Sequence, residues 1–288
     1  MRRTIFDLLD KEIDYKKEYE KLYLMITNDS LLHYGNSSRY KNIFNLFIKD
    51  WEYRATARDF DEVISMIFSN NKFTDEENCL YLIELILNIR AFFLYKNKES
   101  EDEKVLINGG LVQPKTIRFN DQVLIDIIDY VLNKLGYVPY KEEKYKVILI
   151  KKDADAISTA LVVKEENLIN LIMDYNDFRI HNDLLAKKDI LVNFGQYLEP
   201  LRNDLEKIDK TLSSTIFFNL NNLHLRHNNK SGKDKSNYVA KLSDTDLIVW
   251  YDKLYYLILL AFRLLELPNK FKEFKELKKN IIEVKEEV

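Results

Sequence analysis

The chain has 288 residues, a formal net charge of −3, 46% hydrophobic and 32% charged residues, which fits a globular protein and excludes a disordered one. Six glycines and four prolines are few for this length and favour long helices over many tight turns. The single cysteine, Cys79, excludes an internal disulfide and a cysteine-based metal site, and points to a reducing compartment.

The expected fold class is all-α, mainly helical in two halves, with one small β-hairpin between the halves. Apolar positions Ile5, Leu8, Leu9, Ile13, Tyr19, Leu22, Tyr23 and Ile26 repeat at helical spacing between charges, so an amphipathic helix is predicted from Thr4 to Thr27. Residues 28–38 read as a loop carrying His33. Two or three helices follow over 39–68 and 75–95, the last opened by Thr74 with Glu77 in capping-box spacing. Cys79 falls within the apolar run ENCLYLIELIL, where a buried, inert thiol is expected. No apolar run is read as long enough to span a membrane, and the opening MRRTIFDLLDKEI lacks the apolar core of a signal peptide, so a cytoplasmic location is expected.

The charged run KNKESEDEK at 96–104, followed by the paired glycines and proline of INGGLVQPK, marks a composition change. It sets the expected organisation: an N-terminal helical domain at 1–104, a connecting helix and β-hairpin at 105–163, and a C-terminal helical bundle at 164–288. Gly109 and Gly110 match no phosphate-loop pattern and read as turn residues. Residues 120–135 form a helix with Val123, Leu124, Ile127, Ile128, Val131 and Leu132 inward, closed by Gly136 as a C-cap. The β-branched run around Val147 predicts a hairpin with GYVPY. Helices are then expected over 154–163 and 165–175, and a long one from Asn182 that Pro200 kinks or interrupts. Ser243 caps the last major helix, with Trp250, Leu254, Leu257, Ile258 and Phe262 on its buried side and Pro268 as its end. A charged terminal helix carries Phe271, Phe274, Leu277, Ile281 and Val284, a face suited to docking on the body or on a second copy.

The stretch 217–241, FFNLNNLHLRHNNKSGKDKSNYVAK, holds most of the chemistry. Wound as a helix from Asn219 to Lys230, it lines up Asn222, Arg226, Asn229 and Lys230, with apolar residues on both flanks. A guanidinium with amides beside it suits an anion, because its planar fork of donors fits a phosphate. His224 and His227 are the local groups that titrate near neutral pH. The loop after them carries Lys230, Lys233, Lys235 and Lys241 against one acid, Asp234, a composition that tracks phosphate backbones without reading sequence. The blander reading is a solvated turn.

From about Ala154 to Leu265 the chain resembles bacterial abortive-infection proteins whose C-terminal half belongs to the HEPN superfamily. DYNDFRIHNDLLAKKDILVNFGQYLEPLRNDL is similar to the long second helix of that fold, FFNLNNLHLRHNNKSGKDKSNYVA to its motif helix and loop, and DLIVWYDKLYYLILLAF to its closing helix. The resemblance implies a helical bundle and, in many members, metal-independent RNA cleavage with a motif of Arg, a polar residue, three variable residues and His. Arg226 and His227 match the first two motif positions. The chain departs at the last one, where Ser231 stands in place of histidine. Members commonly dimerise with two motif helices face to face, and charged residues of the long helix commonly face the motif helix, which gives Asp183 and Lys187 an orienting role.

The first functional expectation is therefore an RNA-cleaving phage-defence effector: Arg226 for charge stabilisation, His227 or His224 for proton transfer, Asn222, Asn228 and Asn229 to orient the phosphate, and Lys230, Lys233 and Lys235 to hold the flanking backbone. The alternative is a non-catalytic module, a sensor or antitoxin-like subunit, that binds nucleic acid, a nucleotide or a partner protein. A third is a purely structural subunit of a larger assembly. No cofactor motif is present. His224 and His227, with Asp183 and His181 as nearest candidates, offer too few ligands for a metal site.

Overall fold

A computed structural model describes residues 13–28, 31–33, 39–69, 72–102, 105–107, 110–112, 117–223, 225–226 and 242–286. The chain divides into two compact units, Met1–Leu149 and Ile150–Val288. The division lies well beyond the composition change at 96–104, because the charged run there does not break a helix.

In the first unit, helix α1 (Tyr15–Asn28) packs against α4 (Asp75–Asp102), and the shorter α2 (Tyr40–Phe47), α3 (Phe60–Phe68) and α5 (Gln122–Leu135) belong to the same unit. Helix α4 starts where the capping box predicts: the Thr74 hydroxyl accepts from the Glu77 N–H, and the Glu77 carboxylate accepts from the Thr74 N–H. Its apolar side chains do not keep to one stripe. Cys79, Leu80, Leu82, Ile83, Leu85, Ile86, Ile89, Phe92 and Phe93 are all buried, as expected of a central helix surrounded by others. The stretch Asp75–Glu99 is therefore long and apolar enough by composition to cross a membrane, contrary to the sequence expectation, and half of it is buried in the unit. Cys79 lies fully inside, and burial pushes its thiol up to about 12, the inert state expected.

Gly136 ends α5 with a φ of +72°, a left-handed cap that a side chain would strain. The chain then turns into the small hairpin β1 (Tyr137–Glu143) and β2 (Lys146–Lys151), at the junction of the two units in sequence. The Asn88 side chain of α4 pairs with one residue of β2 as a neighbouring strand would, accepting from the Val147 N–H at 2.9 Å and donating to its carbonyl at 2.7 Å. Two shorter antiparallel pairings also occur, Leu32–His33 with Arg118–Phe119 and Val105–Ile107 with Gly110–Val112. They leave the fold mainly helical.

The second unit is a helical bundle: α6 (Ala154–Val162), α7 (Glu166–Tyr175), α8 (Leu184–Leu198), α9 (Arg202–Ile208), α10 (Lys210–Asn222) and α11 (Asp244–Glu286). Helix α11 packs on α6, α8, α9 and α10, so it is the element around which the unit is assembled. Leu247, Tyr251, Leu254, Tyr255, Ile258, Leu259 and Phe262 form its inner face. Trp250, expected inward, is 40% exposed, because the periodic face runs through its neighbour Tyr251. Pro200 interrupts the long helix as predicted, in a single 3-10 turn at Glu199–Leu201. Pro268 does not end α11, which runs on through it to Glu286. A proline removes one backbone donor, and the exposed helix around it tolerates that loss.

Candidate functional site

Helix α10 stops at Asn222 rather than continuing to Lys230, so Asn222 and Arg226 do not share a helical stripe. The last turn is closed by buried contacts: Leu223 and Leu225 enter the core, the Tyr251 hydroxyl donates to the Leu223 carbonyl at 3.0 Å, and the Arg226 N–H donates to the Leu220 carbonyl at 3.2 Å. This folded-back end places Arg226 beside the C-terminal end of α8.

There Arg226 Nη1 meets Glu199 Oε2 at 2.6 Å, and Nη2 donates to the Gly195 carbonyl at 3.1 Å. Its Cζ lies 6.0 Å from the centre of the Phe217 ring. The guanidinium of Arg202 lies over the same ring at 4.7 Å and faces the other Glu199 oxygen at 4.0 Å. One carboxylate therefore sits between two guanidinium groups gathered on one buried aromatic ring. Arg202 also reaches Glu206 at 3.2 Å, so the four charges sum to zero. The Arg226 side chain is 24% exposed and that of Glu199 47%, so water and dissolved anions reach the pair.

Gly195 explains how the helices approach closely enough. A Cβ there would stand 3.0 Å from Arg226 Nη2 and 3.1 Å from Leu220 Cδ1, so the absent side chain leaves the room that both occupy. Glu199, Arg202 and Gly195 were not singled out from the sequence. The only local signal is the Glu199–Arg202 spacing of three residues around Pro200.

The orienting residues fall elsewhere. Asp183 is the N-cap of α8, its carboxylate accepting from the Leu185 and Ala186 N–H groups at 3.0 Å; the partner of Arg226 is Glu199, at the opposite end of that helix. Lys187 is buried and pairs with Asp252 of α11 at 2.5 Å, not with Arg226. The Tyr175 hydroxyl donates to the same carboxylate oxygen at 2.9 Å, and the Tyr175 ring stacks on Tyr255 at 3.9 Å. Burial first, and the Asp252 charge next, hold the Tyr175 phenol far above its ordinary range. This second polar cluster joins α7, α8 and α11. The Asn222 amide donates back to the Phe218 carbonyl at 2.8 Å. His224, His227, Asn228, Asn229, Lys230, Ser231, Lys233 and Lys235 lie outside the described residues.

The closure of α10 has a pH signature. Burial pushes the Tyr251 phenol from 10.0 up to about 12, so the folded chain holds this proton where the unfolded chain releases it. Its stabilisation is complete below pH 10 and lost as pH rises towards about 12. Thermal melts across that window should show stability falling by roughly 1.4 kcal/mol per pH unit for one such group, and Tyr251→Phe should reduce that slope.

No family model matches the chain, and no curated protein and no solved structure matches it.

Proposed function

We propose that the second unit binds a phosphodiester, RNA in the first instance, at Arg226 and Arg202, and serves a phage-defence system as a non-catalytic recognition module. One observation carries this reading: the Glu199 carboxylate lies between two guanidinium groups, the place and charge that a phosphate oxygen pair would take. Exposed ion pairs of this kind are worth about 0–1 kcal/mol each, so an incoming phosphate displaces the carboxylate at small cost. The link to phage defence rests on the resemblance of residues 154–265 to the abortive-infection HEPN proteins.

Metal-independent cleavage is the second reading, favoured by the imidazoles of His224 and His227 next to Arg226 in sequence. The bland reading makes the cluster a staple between α8 and α10. Incubation of labelled single-stranded RNA with the full chain in EDTA, analysed by gel and by filter binding at several salt concentrations, separates the three. The recognition reading expects intact RNA and an affinity that falls steeply with salt, with the salt slope about one phosphate shallower in Arg226→Ala. Shortened RNA from the wild type alone establishes the cleavage reading instead. Equal retention by wild type and Arg226→Ala leaves only the staple.

A further inference from the structure

Beyond the bundle, α11 continues as bare helix. Every described side chain from Leu267 to Lys278 is exposed, including Leu267 at 40%, Phe271 at 63%, Phe274 at 74% and Leu277 at 59%. From Leu267 to Glu286 the backbone extends roughly 30 Å at the helical rise of 1.5 Å per residue. A single helix with no tertiary packing is marginal in water, and four large apolar side chains on one short segment are more than scattered surface residues.

Their spacing is that of a coiled-coil seam. Leu267, Lys270, Phe274 and Leu277 alternate steps of three and four, and Ile281 and Val284 keep the same register in the sequence. Taking Leu267 as position a, Lys270 at d is the one polar residue in the seam. The flanking positions are sorted by charge. The g positions are Glu266, Glu273, Asn280 and Glu287, whereas the e positions after Phe271 are Lys278 and Lys285. In a parallel pair each g faces the e of the following heptad, so Glu273 of one copy meets Lys278 of the other, twice by symmetry. An antiparallel pair sets e against e and g against g, lysine on lysine and glutamate on glutamate. A second copy of this chain is thus the occupant that the seam fits, in one orientation.

We propose that the segment from Glu266 onward forms a parallel two-stranded coiled coil between two copies of the chain, pairing two second units by their terminal helices. The interface is separate from the Arg226 cluster and independent of whether that cluster binds RNA.

Sedimentation of the full chain over a concentration series tests it. The expected result is twice the 34.4 kDa chain mass for the wild type, and the single mass for a Phe274→Asp/Leu277→Asp double variant that keeps a folded bundle, since both positions are exposed in the single chain. Glu273→Lys should raise the dissociation constant of the pair several-fold, and Glu273→Lys with Lys278→Glu should restore it, which a merely hydrophobic association does not predict. A wild type at the single mass throughout, or a doubled mass that these variants leave intact, overturns the proposal. So does a monomer that instead co-sediments with phosphatidylserine vesicles, which would make the same face a membrane-surface helix.

Discussion

Asp252→Ala should lower the stability of the second unit by about 3 kcal/mol, and Lys187→Met in the same chain should restore most of the loss. Lys187 is only 2% exposed, and Asp252 is its carboxylate partner at 2.5 Å. Removing that partner strands an ammonium inside the bundle and deprives the Tyr175 hydroxyl of its acceptor. The lower end of the usual 3–5 kcal/mol range for a broken buried pair applies, because the outer edge of Asp252 reaches water. Lys187→Met removes the charge while keeping an unbranched chain that fills the same space, and a replaced pair is commonly neutral. Urea unfolding of the two variants measures it. A single variant within about 0.5 kcal/mol of wild type, the range of ordinary surface substitutions, would show that the network does not hold α11 to α8.

Gly195→Val should cost about 1–3 kcal/mol, the range for overpacking a well-filled interior, whereas Gly195→Ala should stay near wild type. For alanine, close contacts at 3.0–3.2 Å with the Arg226 guanidinium and the Leu220 methyls are offset by about 1 kcal/mol of helix propensity, and the arginine head is free to shift. Valine adds branches against Leu220, which is wholly buried and cannot yield without moving α10. Both variants crowd Arg226, so the displaced guanidinium should appear in either as weaker RNA retention. Chemical denaturation with parallel filter binding reads both effects; equal stability of the two variants would mean that α8 and α10 are not closely seated at this glycine.

Local rules carried much of the architecture. Thr74 and Ser243 cap where the box pattern places them, Gly136 takes the left-handed conformation, and Pro200 breaks the long helix. Each is a constraint within a few residues, visible without knowing what packs where. The apolar period found Leu254, Ile258 and Phe262 of the inner face of α11 but not Leu247, Tyr251, Tyr255 or Leu259, and it placed Trp250 inward because an aromatic at the edge of a stripe fits either side. The candidate site was legible only as Arg226. Its surroundings come from tertiary approach: Gly195 is buried on another helix, Glu199 and Arg202 lie at its end, and beyond the Glu199–Arg202 spacing no local pattern marks them. Lys187, expected to face the motif helix, pairs elsewhere, and its partner was hidden for the same reason. A lysine on a helix reads as solvated until its partner, Asp252, arrives from a helix 65 residues later. The expected helix through Lys230 failed because periodicity does not register Leu223 and Leu225 turning into the core.

On the proposed reading the Glu199 carboxylate occupies a phosphate site. Anisotropy of a fluorescent single-stranded RNA with wild type, Glu199→Gln and Arg226→Ala, across a salt series, decides whether it does. With the carboxylate charge removed and the guanidinium groups intact, Glu199→Gln should bind several-fold more tightly than wild type, on the order of the 1 kcal/mol that an exposed pair is worth, and Arg226→Ala more weakly. Glu199→Gln and Arg226→Ala binding as the wild type does would contradict it.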